Sequence, residues 1–424
     1  MRVWLMTVGE PLPTDPGCER LLRTGLLAES LVGNGHEVVW WTSSFDHVRK
    51  RHRASSDREF IVDSGFRIRL LHGAAYCKNI SFQRFMNHRG VARKFREQAA
   101  VQPQPDVILC SLPTVELCVE ATAYGRKRGV PVVLDVRDQW PDMFLNLIPS
   151  CTRRIARVAG WPLFRAVKEA CSQASAITGI TQPFVDWAVK YAQRAGTARD
   201  RSFPMGYREQ SPTRDAIRDA TAFWRDLGVS AEREDFIVCF FGSVGRHFEF
   251  DVVFEAAESI ATSGRRVQFV MCGSGPALES YRRRSLNCPN VIFPGWVNSA
   301  QIWTLLRMSA VGLAPYISMP DFVISIPNKP IEYLSAGRPV ISSLQGVLAD
   351  LLEQNECGIT YGNRRPDQLA QVIIDCYENP ARLDAMSANA AALYRRQFVA
   401  ENVYGKMQAY LADIAATTKL ARAA

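Results

Sequence analysis

The sequence predicts an α/β protein built from two successive parallel sheets, each covered by helices on both faces. Three observations carry this expectation. Short apolar runs alternate with stretches of helical spacing. The strand-like runs are apolar nearly throughout, as strands buried on both faces are. The alternation also pauses once, in a stretch rich in proline and glycine, and then starts again. A chain of 424 residues has room for two or three domains with their own cores.

The elements follow in order. Residues 1–9 (MRVWLMTVG) read as a first strand, and 19–34 have helical spacing with Leu21, Leu22, Leu26, Leu27 and Leu31 on one face. Gly35 and His36 turn into VVWWTS. DVILCS (106–111), a helix near 116–128, PVVLDVRD (131–138) and AITGIT (176–181) extend the pattern. Pro204, Gly206 and Pro212 mark the joint. DFIVCFFGSVG (235–245) then opens a second series, followed by a helix with Val252, Val253, Ala256 and Ile260 inward, VQFVMCGSGP (267–276), VIFPGWV, AVGLAPY (310–316) and PVISS (339–343). From about Pro380 the chain is helical with no further strand. The expected division is 1–205, 206–385 and a helical segment 386–424 that packs across the domains. In open α/β sheets, ligands bind at the carboxyl ends of the strands.

Composition excludes several classes. No run of about 18 apolar residues is present, so no spanning helix is expected. The first residues lack the charged region and cleavage site of a signal peptide. Eleven cysteines occur without a CxxC pair, and Cys110, Cys239 and Cys272 lie in apolar runs, which fits a reducing compartment better than a disulfide framework. His36, His47, His52, His72 and His88 lack metal-ligand spacing, and there is no Walker A sequence. The net charge of +9 lies in the first half, where 28 Lys and Arg face 19 Asp and Glu in 1–200, against 23 of each in 201–424. Thirteen basic residues fall in 49–96, interleaved with Phe60, Phe66, Tyr76, Phe82, Phe85 and Phe95. A similar mixture recurs at Arg153, Arg154, Arg157, Trp161, Phe164, Arg165 and Lys168. Such density implies an anionic partner.

Three segments carry candidate chemistry. Gly242-Ser243-Val244-Gly245 and Gly273-Ser274-Gly275-Pro276 each follow a strand, and glycine lets backbone N–H groups approach a phosphate. In 325–341, two prolines lead into a short helix. Lys329 at its start adds a cation, and Glu332 one turn on can accept two ribose hydroxyl hydrogen bonds. Taken alone, such a Lys and Glu are also ordinary surface residues.

Together, GHEVVWWTS, VRDQWPD (136–142), FFGSVG, MCGSGP, NVIFPGWV, IPNKPIEYLSAGRPVI and CGITYGNRRPDQLAQVI (357–373) make the chain resemble the retaining glycosyltransferases of family 4. The nearest likeness is to the bacterial subgroup that builds O-antigen, capsule and exopolysaccharide. The resemblance implies the GT-B fold, two facing Rossmann-like domains with a C-terminal helix crossing between them. It implies transfer of a hexosyl or N-acetylhexosaminyl group from a nucleoside-diphosphate sugar, UDP before GDP, onto a polyprenyl-diphosphate-linked glycan. It also implies no metal and no other cofactor, and a cytoplasmic location on the inner face of the plasma membrane, with the basic N-terminal domain against anionic headgroups.

On that resemblance Glu332 binds the donor ribose, and Lys329 and Arg246 stabilise the diphosphate. Gly17, Gly242, Ser243, Gly245, Gly273 and Gly275 offer backbone to the phosphates or ribose, and Trp296 and Val297 lie by the base. Asp138, at a strand end, is the candidate to orient or deprotonate the acceptor, or else caps a helix or pairs with Arg137. Trp140 shapes an acceptor pocket or is a core aromatic. Three positions depart from the family pattern. Ile324 stands where an acid is usual. Ser243 and Phe248 replace an Arg and a Lys, with Arg246 or His247 as substitutes. Arg137 replaces a histidine that touches the donor sugar, which leaves the sugar open, a 6-deoxy or acidic one included. Three other readings compete: an epimerase of the same fold, a non-catalytic scaffold, and a basic nucleic-acid-binding protein, which would leave Lys329 and Glu332 without a role.

Overall fold

A computed structural model describes residues 1–17, 20–146, 148–230, 235–245, 247–275, 277–286 and 288–423. The chain divides into two compact units: Met1–Gly206 with Ala400–Ala424, and Tyr207–Val399. The sequence sets 386–424 apart as one segment. Here the helix Pro380–Gln397 belongs to the second unit and the helix Ala400–Ala423 to the first.

The first unit contains β1 (Arg2–Met6), β2 (Glu37–Ser43), β3 (Phe45–Asp46), β4 (Arg51–His52), β5 (Arg58–Asp63), β6 (Phe66–Leu71), β7 (Val107–Leu112), β8 (Val132–Val136), β9 (Ala176–Gly179) and β10 (Arg201–Ser202). Eight of these form one sheet in the order β10-β9-β8-β7-β1-β2-β6-β5. Every pairing is parallel except β5 with β6. Strands β5 and β6 fall inside the basic stretch 49–96. FRIRLL has a period of two: Phe66, Ile68 and Leu70 are buried while Arg67 is exposed. Arg69 pairs with Glu59 and covers the Trp41 ring at 5.1 Å. Of the interleaved aromatics, Phe66, Tyr76 and Phe95 are core residues.

One face of this sheet is closed by the helix Arg23–Gly33, whose Leu27 and Leu31 pack with Val403, Met407, Leu411 and Ile414 of the terminal helix. Polar contacts hold that helix in place: Gln408 meets His36, Tyr410 donates to the Arg199 carbonyl at 2.8 Å, and Lys419 pairs with Asp106. The other face is aromatic, with Trp4, Trp41 and Phe95 in edge-to-face contact.

The second unit contains β11 (Phe236–Ser243), β12 (Val267–Ser274), β13 (Val291–Gly295), β14 (Val311–Ala314), β15 (Val340–Ser342) and β16 (Gly358–Thr360). They form a wholly parallel sheet in the order β13-β12-β11-β14-β15-β16. β11 and β12 are in register from Phe236 opposite Val267 to Ser243 opposite Ser274, so both glycine-rich turns leave the sheet side by side. The helix Asn328–Ser335 is seated by Tyr333, which is fully buried and donates to the Leu313 carbonyl at 2.9 Å. Gly312 permits this, since a Cβ there would collide with the Tyr333 ring.

A buried charge network ties the first unit together. The Arg23 guanidinium donates two hydrogen bonds to Asp135, both 2.9 Å, and one each to the Phe203 and Pro204 carbonyls. Arg137 donates to Asp135 at 2.8 Å, to Thr24 Oγ1 and to Glu10. Burial alone would raise the Asp135 pKa, but the charges and hydrogen bonds of Arg23 and Arg137 outweigh it and hold the carboxyl far below its usual range. Removing one member of such a set leaves a buried charge unmatched. Asp135→Asn is therefore expected to destabilise the first unit by about 3 kcal/mol, read as a lower urea midpoint. Because the folded pKa is depressed, the ionised group's contribution is complete above the unfolded value of about 4 and is lost as pH falls below it. The variant's stability should depend less on pH in that acid range.

Candidate functional site

The densest group of candidate residues lies at the carboxyl ends of β11, β12 and β14. A Cβ on Gly273 would overlap the Gly242 carbonyl, and one on Gly275 the Val244 carbonyl. These glycines let the second turn rest on the backbone of the first, where Val244 N–H donates to the Ser274 carbonyl at 2.8 Å. Gly242 has φ +143°, and a Cβ on it would collide with Lys329 Cε and lie 2.6 Å from Nζ. The lysine side chain thus occupies the space beside Gly242 that a side chain would fill.

Lys329 is the second residue of the helix Asn328–Ser335. Its ammonium lies 4.6 Å from the Phe248 ring centroid, 5.4 Å from Phe240 and 5.9 Å from Tyr316, all within cation–π range. Burial pushes its pKa down to about 8, against the opposing pull of Glu332. Glu332 is only 7% exposed. Neither residue is the exposed surface group that the isolated reading allows. A cation at a helix start, beside backbone turns ending parallel strands, is suited to an anion.

The other candidates of this unit fall around it. Ser243 is exposed and Gly245 half-buried. Trp296, just past the end of β13, is 67% exposed, whereas Val297 is a core residue. Phe248, where the family pattern has a lysine, faces the Lys329 ammonium instead. His247 is exposed and lies against Phe322. Arg246 lies outside the described residues. The aromatic surround of Lys329 was missed by sequence reasoning; the density of rings in FFGSVGRHFEF was its one local signal.

Gly17 and Asp138 belong to the first unit. Gly17 has φ +63° with nothing within 4 Å of a Cβ. Its loop is held by Asp15 on Arg53 and by Arg49 on the Pro16 carbonyl. Asp138 is half-buried past the end of β8, and its charge acts on Arg84, whose guanidinium stacks 4.5 Å over Trp140. Arg137 donates to Asp135, Glu10 and Thr24. Close by, burial pushes the Glu116 carboxyl up to about 7 and the His88 imidazole down to about 3, with Arg84 and His47 adding to the latter. Among the described residues, no group of three His, Cys, Asp or Glu could hold a metal ion.

The depressed pKa of Lys329 has a consequence for stability. Below about pH 8 the folded protein must keep a half-buried ammonium charged, which costs stability. Between about 8 and 10.5 the unfolded chain binds the extra proton, so stability rises with pH. Lys329→Met should therefore raise the melting temperature of the second unit at pH 7. The difference from the native protein should narrow across that window in thermal unfolding at stepped pH.

Residues 235–379 match the family model described as "Glycosyl transferases group 1". The chain is 23% identical over 236 residues to an alpha-D-kanosaminyltransferase of Streptomyces kanamyceticus, a match covering 50% of this chain and 60% of that protein. The fold is shared with the sucrose-phosphate synthase of Thermosynechococcus elongatus: TM-score 0.69, 16% identity, 98% of this chain and 99% of the other. It is also shared with Anabaena HepE solved with UDP-glucose: TM-score 0.63, 15% identity, 97% and 100%. WaaG, a glycosyltransferase involved in lipopolysaccharide biosynthesis, gives a TM-score of 0.59 at 15% identity, over 97% and 99% of the two chains. The family-model match lies within the second unit, and the chain has the GT-B fold of two Rossmann-like domains.

Proposed function

We propose that this protein is a retaining glycosyltransferase of the family 4 type, taking a nucleoside-diphosphate sugar, UDP-linked in preference to GDP-linked. One observation carries the reading: the Lys329 ammonium is held beside Gly242 by three aromatic faces, with Glu332 buried one turn along the same helix. That pairs a cation for a diphosphate with an acceptor for ribose hydroxyls. The kanosaminyltransferase likeness and the UDP-glucose complex of HepE support it.

In this reading the glycine-rich turns and Lys329 stabilise charge that develops on the departing β-phosphate. The bond from the sugar C1 to the phosphate oxygen breaks, and its electron pair leaves with the phosphate. The acceptor hydroxyl bonds to C1 on the same face, and its proton passes to the departing phosphate. No protein nucleophile and no metal are needed. Asp138 orients the acceptor hydroxyl, and the exposed indole of Trp296 offers a face for the base. The acceptor is a lipid-linked glycan, met at an anionic membrane surface through the first unit. Its membership of a lipopolysaccharide or capsule pathway and its peripheral cytoplasmic location belong to the same proposal.

The reading is tested by thermal shift against UDP, GDP, dTDP, CMP, ATP and a short nucleic acid, since a ligand of the folded state raises apparent stability. A selective shift with UDP is expected, and Glu332→Ala should weaken UDP binding about tenfold through loss of charge-assisted hydrogen bonds. No nucleotide shift, with stabilisation by nucleic acid, would overturn the proposal. Since Lys329 titrates near 8, UDP affinity should fall by up to about tenfold per pH unit above that value. In Lys329→Met it should be weak and independent of pH.

A further inference from the structure

The first unit holds a groove of about 880 Å³ between the helices Trp161–Gln173 and Gln182–Ala192. Four cations line it, Arg157, Arg165, Lys168 and Lys190, together with the rings of Trp161 and Trp187. Among the described residues none of these four has an ion-pair partner. Arg157 and Arg165 rest instead on the faces of Phe164 and Trp161. One of the two carboxylates in the lining, Asp142, already accepts hydrogen bonds from Trp187 Nε1 and Tyr191 Oη, both 2.8 Å. The groove is therefore a cationic, ring-lined trough with its anions outnumbered.

Beside it stands an apolar ridge. The short helix Arg153–Ala159 leaves Ile155 72% and Val158 77% exposed, one turn apart on one face, and Trp161, which also lines the groove, is 57% exposed. Arg153, Arg154 and Arg157 flank them. Exposed aliphatic side chains among arginines gain from a medium that is apolar at depth and anionic at its surface. Nucleic acid has the charge but no apolar interior, and a second copy of this basic ridge would bring like charges together.

We infer that residues 153–173, with the adjoining groove, form the membrane-docking surface of this protein: Ile155, Val158 and Trp161 insert at the interface, and the groove takes the phosphate of an anionic phospholipid headgroup. The inference deepens the membrane-side part of the function proposed above. Within 49–96, where Ile61, Ile80 and Phe82 are also exposed, Phe66, Tyr76 and Phe95 are core residues and Arg53, Arg69 and Lys94 are paired with acids.

The test is co-sedimentation of the full chain with phosphatidylcholine vesicles and with vesicles containing phosphatidylglycerol, alongside UDP thermal shift on each preparation. Binding is expected to the anionic vesicles only. Arg165→Glu with Lys168→Glu should weaken it at least about tenfold, since each nearby basic residue contributes about 1 kcal/mol, and Ile155→Ser with Val158→Ser should do so separately through lost burial of two apolar side chains. Lys127→Glu, an exposed charge on another helix, should leave it unchanged. Equal binding to both vesicle types, unaltered binding by both double variants, or displacement by glycerol phosphate or a short DNA duplex as effective as added vesicles would overturn the assignment. The UDP shift reports the second unit. Vesicle binding without that shift would overturn the nucleotide-sugar reading and leave this surface standing; a shift without vesicle binding would do the reverse.

Discussion

The contact between two glycine-rich turns governs the second unit. β11 and β12 stay in register to their last residues, and they can do so only because Gly273 and Gly275 present no Cβ to the Gly242 and Val244 carbonyls. Their close approach leaves an open face at Gly242, and the side chain of Lys329 lies along it. The rings of Phe240, Phe248 and Tyr316 then take the place of water around the ammonium. Burial by itself would favour the neutral amine; the rings and Glu332 partly offset that preference. What results is a cation less well solvated than it would be in water, beside turns whose backbone N–H groups can also meet an anion.

The two units treat buried charge in opposite ways. In the first, Arg23, Asp135, Arg137 and Glu10 satisfy one another through bidentate and shared hydrogen bonds. The two arginines come from a helix and from the end of a strand and meet on one carboxylate, which fixes where β8 lies against the helix Arg23–Gly33. In such a set any single removal strands a buried charge. In the second, a lysine is set among three rings, with Glu332, among the described residues, the one charge acting on it that opposes its desolvation. Perturbation by desolvation at the ends of strands, rather than by a closed ion-pair set, is the pattern that marks a binding site. Arg137, which stands where a histidine is usual in the resembled family, is held in the first unit's set by Asp135, Glu10 and Thr24.

What could be read from the sequence followed locality. The glycine turns, the IPNKPIE segment and the restart of the strand pattern are contiguous, and glycine or proline at fixed spacing has few structural meanings, so both sheets and the Lys329–Glu332 helix were visible. The aromatic surround was not, because its rings come from β11, from the loop after it and from beyond β14, brought together only by sheet order. FRIRLL was hidden for a different reason. Its alternation of apolar residues with arginine has the period of a strand, but within a long basic stretch the charge was more conspicuous than the period. Asp138 and Trp140 were named as candidates, yet their connection through Arg84, which lies in a helix more than fifty residues earlier, needed coordinates.

The excess positive charge of the first half shows why a count of cations is a poor guide to a partner. Structure sorts those residues by what surrounds them. Some close ion pairs inside the fold, as Arg23, Arg53 and Arg137 do. Some line a strand and shield an aromatic core, as Arg69 does over Trp41. Among the described residues, those of 153–173 do neither, and they lie beside exposed Ile155, Val158 and Trp161. A charge already paired contributes little to recognition at a distance, because its field is largely cancelled and salt screens the remainder. A cation resting on a ring keeps its full charge toward solvent while its stem is desolvated. In the proposed docking it is the cations of 153–173 that meet the anionic surface, so the net charge of the domain overstates how many of its residues take part.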